Sequence, residues 1–248
     1  MRVLQACVLA SLIGPVVPLS ILAFASPPQT RNATAPTGTI RGHVVLTGAL
    51  PGNAVIRMGM DPKCAELNAG KRVIQEAVAV AANGSLANVF LRLEGTFSAT
   101  PVPAEPVVID QRACVYGPRV VGVRVGQVLR IRSDDDLLHN VHSSSASGNS
   151  FNVSQPKAGI VFDYKPSHEE VMLKLGCDVH RWMTAYVGVL PHPYFSVSGR
   201  DGSFEIARVP AGTYTMRAWH ERFGDQVKPV TVKAGGVTTL DLSYPAGP

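Results

Sequence analysis

Residues 177–183, Cys-Asp-Val-His-Arg-Trp-Met, are the most informative stretch of this 248-residue chain. They follow a strand-length apolar segment at 171–175, and the segment His-Asn-Val-His at 139–142 precedes them. A thiolate, two imidazoles and a thioether are a soft ligand set that suits a transition metal. The four candidate ligands are His139, Cys177, His180 and Met183.

Around this stretch, short apolar segments alternate with turn residues from residue 38 onward. Gly 23 and Pro 19 are too many for a helical bundle, and 46% hydrophobic residues suffice for a packed core. The sequence therefore predicts an all-β sandwich or barrel. The expected strands are 39–46, 73–80, 86–93, 119–125, 128–132, 171–175, 183–190, 203–206, 213–219 and 227–232.

Two other segments have local signals of their own. Residues 61–70 predict the one clear helix, with Asp61 as N-cap, Pro62 at the first helical position and Gly70 just beyond the end. Residues 143–159 are rich in Ser, Gly and Asn and predict a surface loop between two core strands.

The spacing of Cys177, His180 and Met183, together with His139-Asn140 upstream, resembles the ligand motifs of the cupredoxins, the blue copper proteins of plastocyanin and amicyanin type. The resemblance spans roughly residues 73–193 and implies a Greek-key β-sandwich with one type 1 copper ion. It implies His139, Cys177, His180 and Met183 as the copper ligands. It also implies that hydrogen bonds from Asn140 connect the strand of His139 to the loop of Cys177.

Some alternatives at this site stay open. His142 competes with His139 as the upstream ligand, and in an extended segment the two point to opposite faces. The position of Asn140 directly after His139 favours His139. The alternative to a metal-binding thiolate at Cys177 is a buried free thiol. Trp182 either packs at the rim or belongs to an apolar docking patch around an exposed edge of His180.

The resemblance assigns Cys177 to copper, which leaves Cys64 and Cys114 in the exported part of the chain. We expect these two to form a disulfide, and the alternatives are two free thiols or a second metal site. The remaining histidines lack a motif and are expected at the surface or in turns: His43, His168, His192 and His220.

The flanks resemble a second family. Residues 38–44 (GTIRGHV) and 201–214 (DGSFEIARVPAGTY) are similar to the carboxypeptidase regulatory-like, transthyretin-like β-sandwich, a structural or adhesive module without catalysis. We therefore expect a split sandwich formed by 38–60 and 196–244, with a cupredoxin copper domain at 61–195 inserted into it or packed against it.

The N-terminus predicts export. Residues 1–25 contain the single charge Arg2, a long apolar stretch and the pattern Ala23-Phe24-Ala25, which is typical of a cleaved signal peptide. An uncleaved membrane anchor is the alternative. Residues 26–37 are a polar linker expected to be disordered. The mature protein is expected to be periplasmic or secreted and not attached to a membrane.

These features predict an electron carrier rather than an enzyme, with one type 1 copper and redox partner proteins that the sequence does not identify. The net charge is only +5, and the sequence contains no run of basic residues, which excludes the basic patch typical of nucleic-acid-binding proteins. The alternative function is a non-redox copper-binding or structural and adhesive module. A copper oxidase or reductase is disfavoured because the remaining histidines form no His-x-His pair.

Overall fold

The computed structural model describes residues 36–246. The predicted signal at 1–25 and nearly all of the predicted linker at 26–37 lie outside the described residues, although the first strand already begins at Thr37. Within the described part of the chain, no helix has the length and apolar character needed to cross a membrane.

The described chain is almost entirely β, as the sequence predicts. The only α-helix in this part of the chain is α1 (Pro62–Leu67), and a 3-10 turn (Met58–Met60) precedes it. The strands in chain order are β1 (Thr37–Thr47), β2 (Phe90–Glu94), β3 (Val107–Arg112), β4 (Val115–Gly117), β5 (Val120–Arg124), β6 (Leu129–Ser133), β7 (His139–Ser144), β8 (Asn152–Gln155), β9 (Val161–Tyr164), β10 (Glu170–Gly176), β11 (Thr184–Leu190), β12 (Phe195–Val197), β13 (Ser203–Pro210), β14 (Gly212–His220), β15 (Gly224–Val232), β16 (Val237–Thr239) and β17 (Leu242–Pro245).

The strands β3 to β11 form one sandwich, which we call the inner sandwich. One sheet has the order β5-β11-β10-β7-β8 and the other β4-β3-β6-β9. Alternating residues of both sheets meet in an apolar core, in which Ile131, Val141 and Leu175 are fully buried.

The remaining strands form the outer sandwich. One sheet has the order β13-β1-β16, with β17 also paired to β1, and the other has the order β12-β2-β14-β15. Its core contains Ile40 of β1, Leu91 of β2 and Met216 of β14. The fold class is thus all-β with two associated sandwiches, as predicted.

A small cap lies at one end of the inner sandwich. We define the cap as residues 54–75, because a bridge between Val55 and Ile74 closes this segment into a loop that contains α1. Asp61 is the N-cap of α1, as predicted, and its side chain accepts a hydrogen bond from the amide of Cys64. The helix ends at Leu67, earlier than the predicted 61–70, and Gly70 follows in the left-handed region at φ 74°.

Two local predictions are wrong. Residues 73–80 contain only isolated bridges, because the backbone there closes the cap and then turns into the outer sandwich. Part of the predicted loop 143–159 is strand: β8 pairs with β7, and its Gln155 is fully buried. His192, between β11 and β12, and His220, the last residue of β14, were expected at the surface or in turns, and both are buried.

The two sandwiches meet over a pair of glycines on neighbouring strands. Gly122 of β5 pairs with Gly188 of β11, and both lie under aromatic rings of the outer sandwich. A Cβ at Gly188 would lie 2.2 Å from the ring of Phe90, and one at Gly122 would lie 2.3 Å from the ring of Phe195. The missing side chains therefore make the close contact possible.

An ion pair lies beside this junction. Arg119, just before β5, donates to the carboxylate of Glu221, just after β14, and both side chains are largely buried. This ion pair thus also connects β5 of the inner sandwich to β14 of the outer sandwich.

The chain crosses between the sandwiches at a different point from the expected boundary. β2 lies inside the segment 61–195 expected for the copper domain, yet it pairs with β12 and β14 of the outer sandwich. The physical reason is burial, since Leu91 and Leu93 complete the outer core rather than the inner one.

Candidate metal centre

His139 and Cys177 reach the same end of the inner sandwich from neighbouring strands. His139 is the first residue of β7, and Cys177 follows the last residue of β10, which pairs with β7. Residues of a strand alternate between its two faces, so His139 and Val141 point inward. Both His139 and Cys177 are buried.

His180 returns to this point from the loop between β10 and β11. Its Nδ1 lies 3.0 Å from Nδ1 of His139 and 3.8 Å from Sγ of Cys177. One donor atom from each of these three residues lies within 4.8 Å of the other two. The structure thus brings three of the four predicted ligands together in a buried cluster.

Met183 lies next to this cluster. Its side chain is 2% exposed and belongs to the same apolar core as Cys177. Its backbone amide donates to the carbonyl of His180 over 2.8 Å, which closes a tight turn between the two residues. The loop 177–183 therefore delivers all three of its candidate ligands to one end of the core.

The Nε2 atom of each imidazole lies within hydrogen-bond distance of a carboxylate. His139 Nε2 lies 3.0 Å from Asp135 Oδ2, and His180 Nε2 lies 2.9 Å from Asp61 Oδ2. An ionised carboxylate only accepts hydrogen bonds, so each Nε2 carries the proton. In the neutral imidazoles, the two Nδ1 atoms then present lone pairs toward each other, beside Cys177.

Asp135 also fixes the turn between β3 and β4. Ala113 and Cys114 occupy the two central positions of this turn at φ 51° and 61°, which is unfavourable for residues with a Cβ. The carboxylate of Asp135 accepts both of their amides, over 2.6 and 2.8 Å. One buried side chain thus orients His139 and holds a strained turn.

The same turn connects the inner sandwich to the cap. Cys114 forms a disulfide with Cys64 of α1, as predicted. Sγ of Cys64 lies 3.4 Å from Nε2 of His180, so the disulfide covers this imidazole. Because their sulfurs are bonded to each other, Cys64 and Cys114 are not thiolate ligands, although they lie near His139 and His180.

Asn140 and Tyr116 connect the strand of His139 to the loop of Cys177. Oδ1 of Asn140 accepts the amide of Asp178 over 2.6 Å, which is the kind of connection implied for Asn140 by the motif. The hydroxyl of Tyr116 lies 3.2 and 3.1 Å from the carbonyls of Asn140 and Gly176, which share its one proton. These hydrogen bonds fix the spacing of the two ligand segments.

The surroundings favour a thiolate beside a positive charge. Burial works against ionisation of Cys177, but hydrogen bonds from His139 and from the loop backbone outweigh it and lower the pKa of the thiol. Burial likewise works against protonation of His139, yet its contacts with Asp135 and Cys177 raise its pKa to about 9. The site therefore attracts a proton or another cation.

His142 lies outside this cluster. It is on the opposite face of β7, with Nδ1 3.0 Å from Oδ1 of the exposed Asp178. Its ring packs against Gly176, where a Cβ would lie 2.8 Å from Nε2. The geometry places His139, and not His142, next to Cys177 and His180.

The exposed edge of His180, on which one of the two interpretations of Trp182 depended, is absent from the described structure. His180 is 1% exposed because Asp61, Cys64 and Trp182 surround it. Trp182 donates its Nε1 proton to the carbonyl of Cys114 over 2.8 Å and packs within the cap cluster. It is a packing residue, one of the two roles considered for it.

Sequence reasoning missed Asp135 and Tyr116 entirely and assigned Asp61 only to helix capping. The spacing of Asp135, four residues before His139, is a weak signal for a carboxylate near an imidazole. Asp61 is 119 residues from His180, and no local pattern connects them.

Comparisons with known families give one match. The family model of polysaccharide lyase family 4, domain II, matches residues 192–240, which contain most of the outer sandwich strands after β11. The resemblance of this sandwich to the carboxypeptidase regulatory-like family stays a prediction. No curated protein is significantly similar to the chain.

Several solved structures are weakly similar. They include the Cu-containing nitrite reductase (NirK) from Thermus scotoductus SA-01 at 16% identity and TM-score 0.32, over 37% of this chain and 25% of that one. They also include a novel purple cupredoxin from Nitrosopumilus maritimus at 26% identity and TM-score 0.29, over 33% and 97%. A mutant of amicyanin in its Cu(I) form has 18% identity and TM-score 0.31, over 40% and 97%. The chain spans only a quarter of the nitrite reductase, and TM-scores this low carry no conclusion about function.

Proposed function

We propose that this protein binds one type 1 copper ion through His139, Cys177, His180 and Met183 and carries single electrons between redox partners outside the cytoplasm. The observation that carries the proposal is the pair of imidazole Nδ1 atoms facing each other over 3.0 Å beside the buried Cys177. The proposal also includes the predicted export of the protein to the periplasm or the medium.

The facing Nδ1 atoms support a cation at this point. Two neutral imidazoles that donate from Nε2 to Asp135 and Asp61 would direct two lone pairs at each other, which is unfavourable without a proton or a metal ion between them. Carboxylates on the outer nitrogens are the usual partners of metal-binding histidines, since they fix the ring and raise its basicity. The geometry therefore fits a metal bound through both Nδ1 atoms.

The donor types favour copper. A thiolate and a thioether are soft ligands, and two imidazoles with one cysteine and a weak methionine suit a copper ion that changes between two oxidation states. Copper bound here would supply a one-electron redox couple. The chain contributes a rigid, dry site: Asn140 and Tyr116 fix the two ligand segments, and the cap excludes water from His180.

A second function, a non-redox copper-binding or structural module, is favoured by one observation. His180 has no exposed edge, so an electron cannot pass from it directly to a docked partner. The two functions differ in reversibility, because a carrier returns to the same state after reduction and reoxidation.

The test is the visible absorption spectrum of the purified protein with Cu(II), followed by reduction with ascorbate and reoxidation. We expect an intense thiolate-to-copper band that bleaches and returns. The variants Cys177→Ser and His139→Ala should lose this band, while His142→Ala is the matched control and should keep it. A colourless protein, or a band unchanged in Cys177→Ser, contradicts the proposal, and a band that does not return after reduction favours the non-redox alternative.

A further inference from the structure

The closed edge of His180 leaves the question of where electrons enter or leave the site. Both imidazoles are enclosed, with His139 at 0% and His180 at 1% exposure. The cap and the disulfide cover His180, so a partner cannot contact it without displacing them. A route to the surface through another ligand avoids the cap.

A depression in the surface lies beside the loop 177–183. It has a cavity volume of about 310 Å³, and Cys177 and Met183 both line it. Its other charged or titratable lining residues are His142, Lys174, Asp178 and Arg181. Cys177 thus lines a surface depression here, whereas Met183 lines both this depression and a larger cavity of about 620 Å³ beside the cap.

The rim of this depression is positively charged. Lys174 and Arg181 are exposed, and among the described residues neither has a carboxylate within ion-pair distance. Arg112, Arg130 and Arg217, by contrast, are all paired with aspartate or glutamate. The two rim cations are therefore free to attract a negative group.

The one carboxylate at the rim is already engaged. Asp178 accepts a hydrogen bond from Nδ2 of Asn140 over 2.6 Å, and His142 Nδ1 lies 3.0 Å from its other oxygen. Asn152 lies 3.3 Å from the same carboxylate. The Asp178 side chain is 60% exposed, so with Lys174 and Arg181 it leaves a formal net charge of +1 among these three rim residues.

We propose that a redox partner protein docks over this depression and that its docking face carries carboxylates. Charge complementarity with Lys174 and Arg181 orients the partner, and the electron passes by way of Cys177. The step transfers one electron from the reduced copper site to an oxidised one-electron acceptor in the partner, and no bond forms or breaks. This inference rests on the proposed function, since it names the partner class of the same site.

A first test needs no copper. The paramagnetic trianion hexacyanochromate(III) is titrated into the metal-free protein, and the broadening of backbone amide signals is mapped by NMR. We expect the strongest broadening at residues 174–184, and its loss in the double variant Lys174→Glu/Arg181→Glu. The matched control is Lys228→Glu/Lys233→Glu, which changes the net charge equally at two exposed lysines of the outer sandwich.

A second test measures electron exchange with copper bound. At low salt, the double variant should reduce hexacyanoferrate(III) at least about tenfold more slowly than the original protein and reduce the cation tris(phenanthroline)cobalt(III) faster. The control pair should change both rates much less. The docking site is overturned if the control pair slows the reduction of hexacyanoferrate(III) as much as the double variant does. It is also overturned if the amide signals that the anion broadens most lie outside residues 174–184.

The two proposals fail separately in these experiments. The visible band reports whether each variant binds copper at the proposed site. If the original protein shows no band, the proposed function is refuted, while the NMR titration with hexacyanochromate(III) still tests whether anions bind at the depression. A normal band with unchanged exchange rates in Lys174→Glu/Arg181→Glu refutes the docking site alone.

Discussion

His180 Nε2 and Asp61 Oδ2 are 2.9 Å apart although 119 residues separate them in the chain. Asp61 is also the N-cap of α1, so one carboxylate begins the cap helix and orients a proposed ligand. The hydrogen bond from His180 holds the pKa of the Asp61 carboxyl below its ordinary value of 3.8. The cap therefore contributes to the candidate metal centre.

The substitution Asp61→Asn separates these two roles. Asparagine caps helices as well as aspartate does, so α1 should persist, while His180 Nε2 loses its charged hydrogen-bond acceptor. We expect the affinity for copper to fall about 10- to 100-fold, measured by competition with a chelator. Asp136→Asn removes an exposed carboxylate nearby and should leave the affinity unchanged. Equal affinities in both variants would show that Asp61 acts only on the helix.

Asp135→Asn tests the turn between β3 and β4. The substitution leaves one acceptor oxygen for the amides of Ala113 and Cys114, and it replaces the other with a donor. A buried amide without an acceptor should lower the free energy of unfolding of the metal-free protein by about 1–3 kcal/mol, measured with urea. An unchanged midpoint and slope would mean that the disulfide alone holds this turn.

Gly188→Ala tests the junction of the two sandwiches. Its new Cβ would overlap the ring of Phe90, so we expect a loss of about 1–3 kcal/mol in the free energy of unfolding. Gly52→Ala, where an added Cβ meets no atom within 4 Å, is the control. Adding Phe90→Leu should recover part of the loss in Gly188→Ala, and the lack of such coupling would contradict this packing.

His220 predicts a pH dependence of stability. It is buried, and desolvation together with the nearby Arg119 lowers its pKa from 6.5 to about 4. Between these values the unfolded chain binds the proton more readily than the folded chain does. The stabilising contribution is therefore complete above pH 6.5 and is lost as the pH falls to about 4, by about 3 kcal/mol for this group.

The check is a series of urea unfolding curves from pH 7 to pH 4. His220→Asn, whose Oδ1 can still accept the amide that Nδ1 accepts from Arg222, should flatten the decline. His43 is exposed, so the free energy of unfolding of His43→Asn should fall with pH as it does in the original protein. A decline of the same size in His220→Asn would show that another group, such as the buried His192, dominates.

Local patterns predicted much of the fold, and the motif named the three side chains that the structure brings together: His139, Cys177 and His180. The alternation in residues 213–219 corresponds to β14, and the capping residue Asp61 marks the true start of α1. Residues 73–80 were misassigned because an apolar stretch that lines a core without pairing has the same composition as a strand. β8 was missed because its polar sequence shows little alternation, although Gln155 is buried there.

The surroundings of the site depended on contacts between distant parts of the chain. Asp61 and the disulfide bring the cap over His180, and no spacing in the sequence indicates that this edge is closed. Asp135 was not recognised because its role depends on the turn at Ala113 and Cys114. The prediction of an exposed His180 followed from its motif and was wrong for this reason.

The position of β1 determines the order in which the molecule can be completed. β1 begins at Thr37 but pairs with β13, whose first residue is Ser203, so synthesis must pass the whole inner sandwich before that partner exists. Contacts over such a separation close late, whereas the inner strands pair across much shorter distances. During folding the inner sandwich can therefore assemble first, while β1 keeps an unpaired and aggregation-prone edge until β13, from the last fifth of the chain, pairs with it.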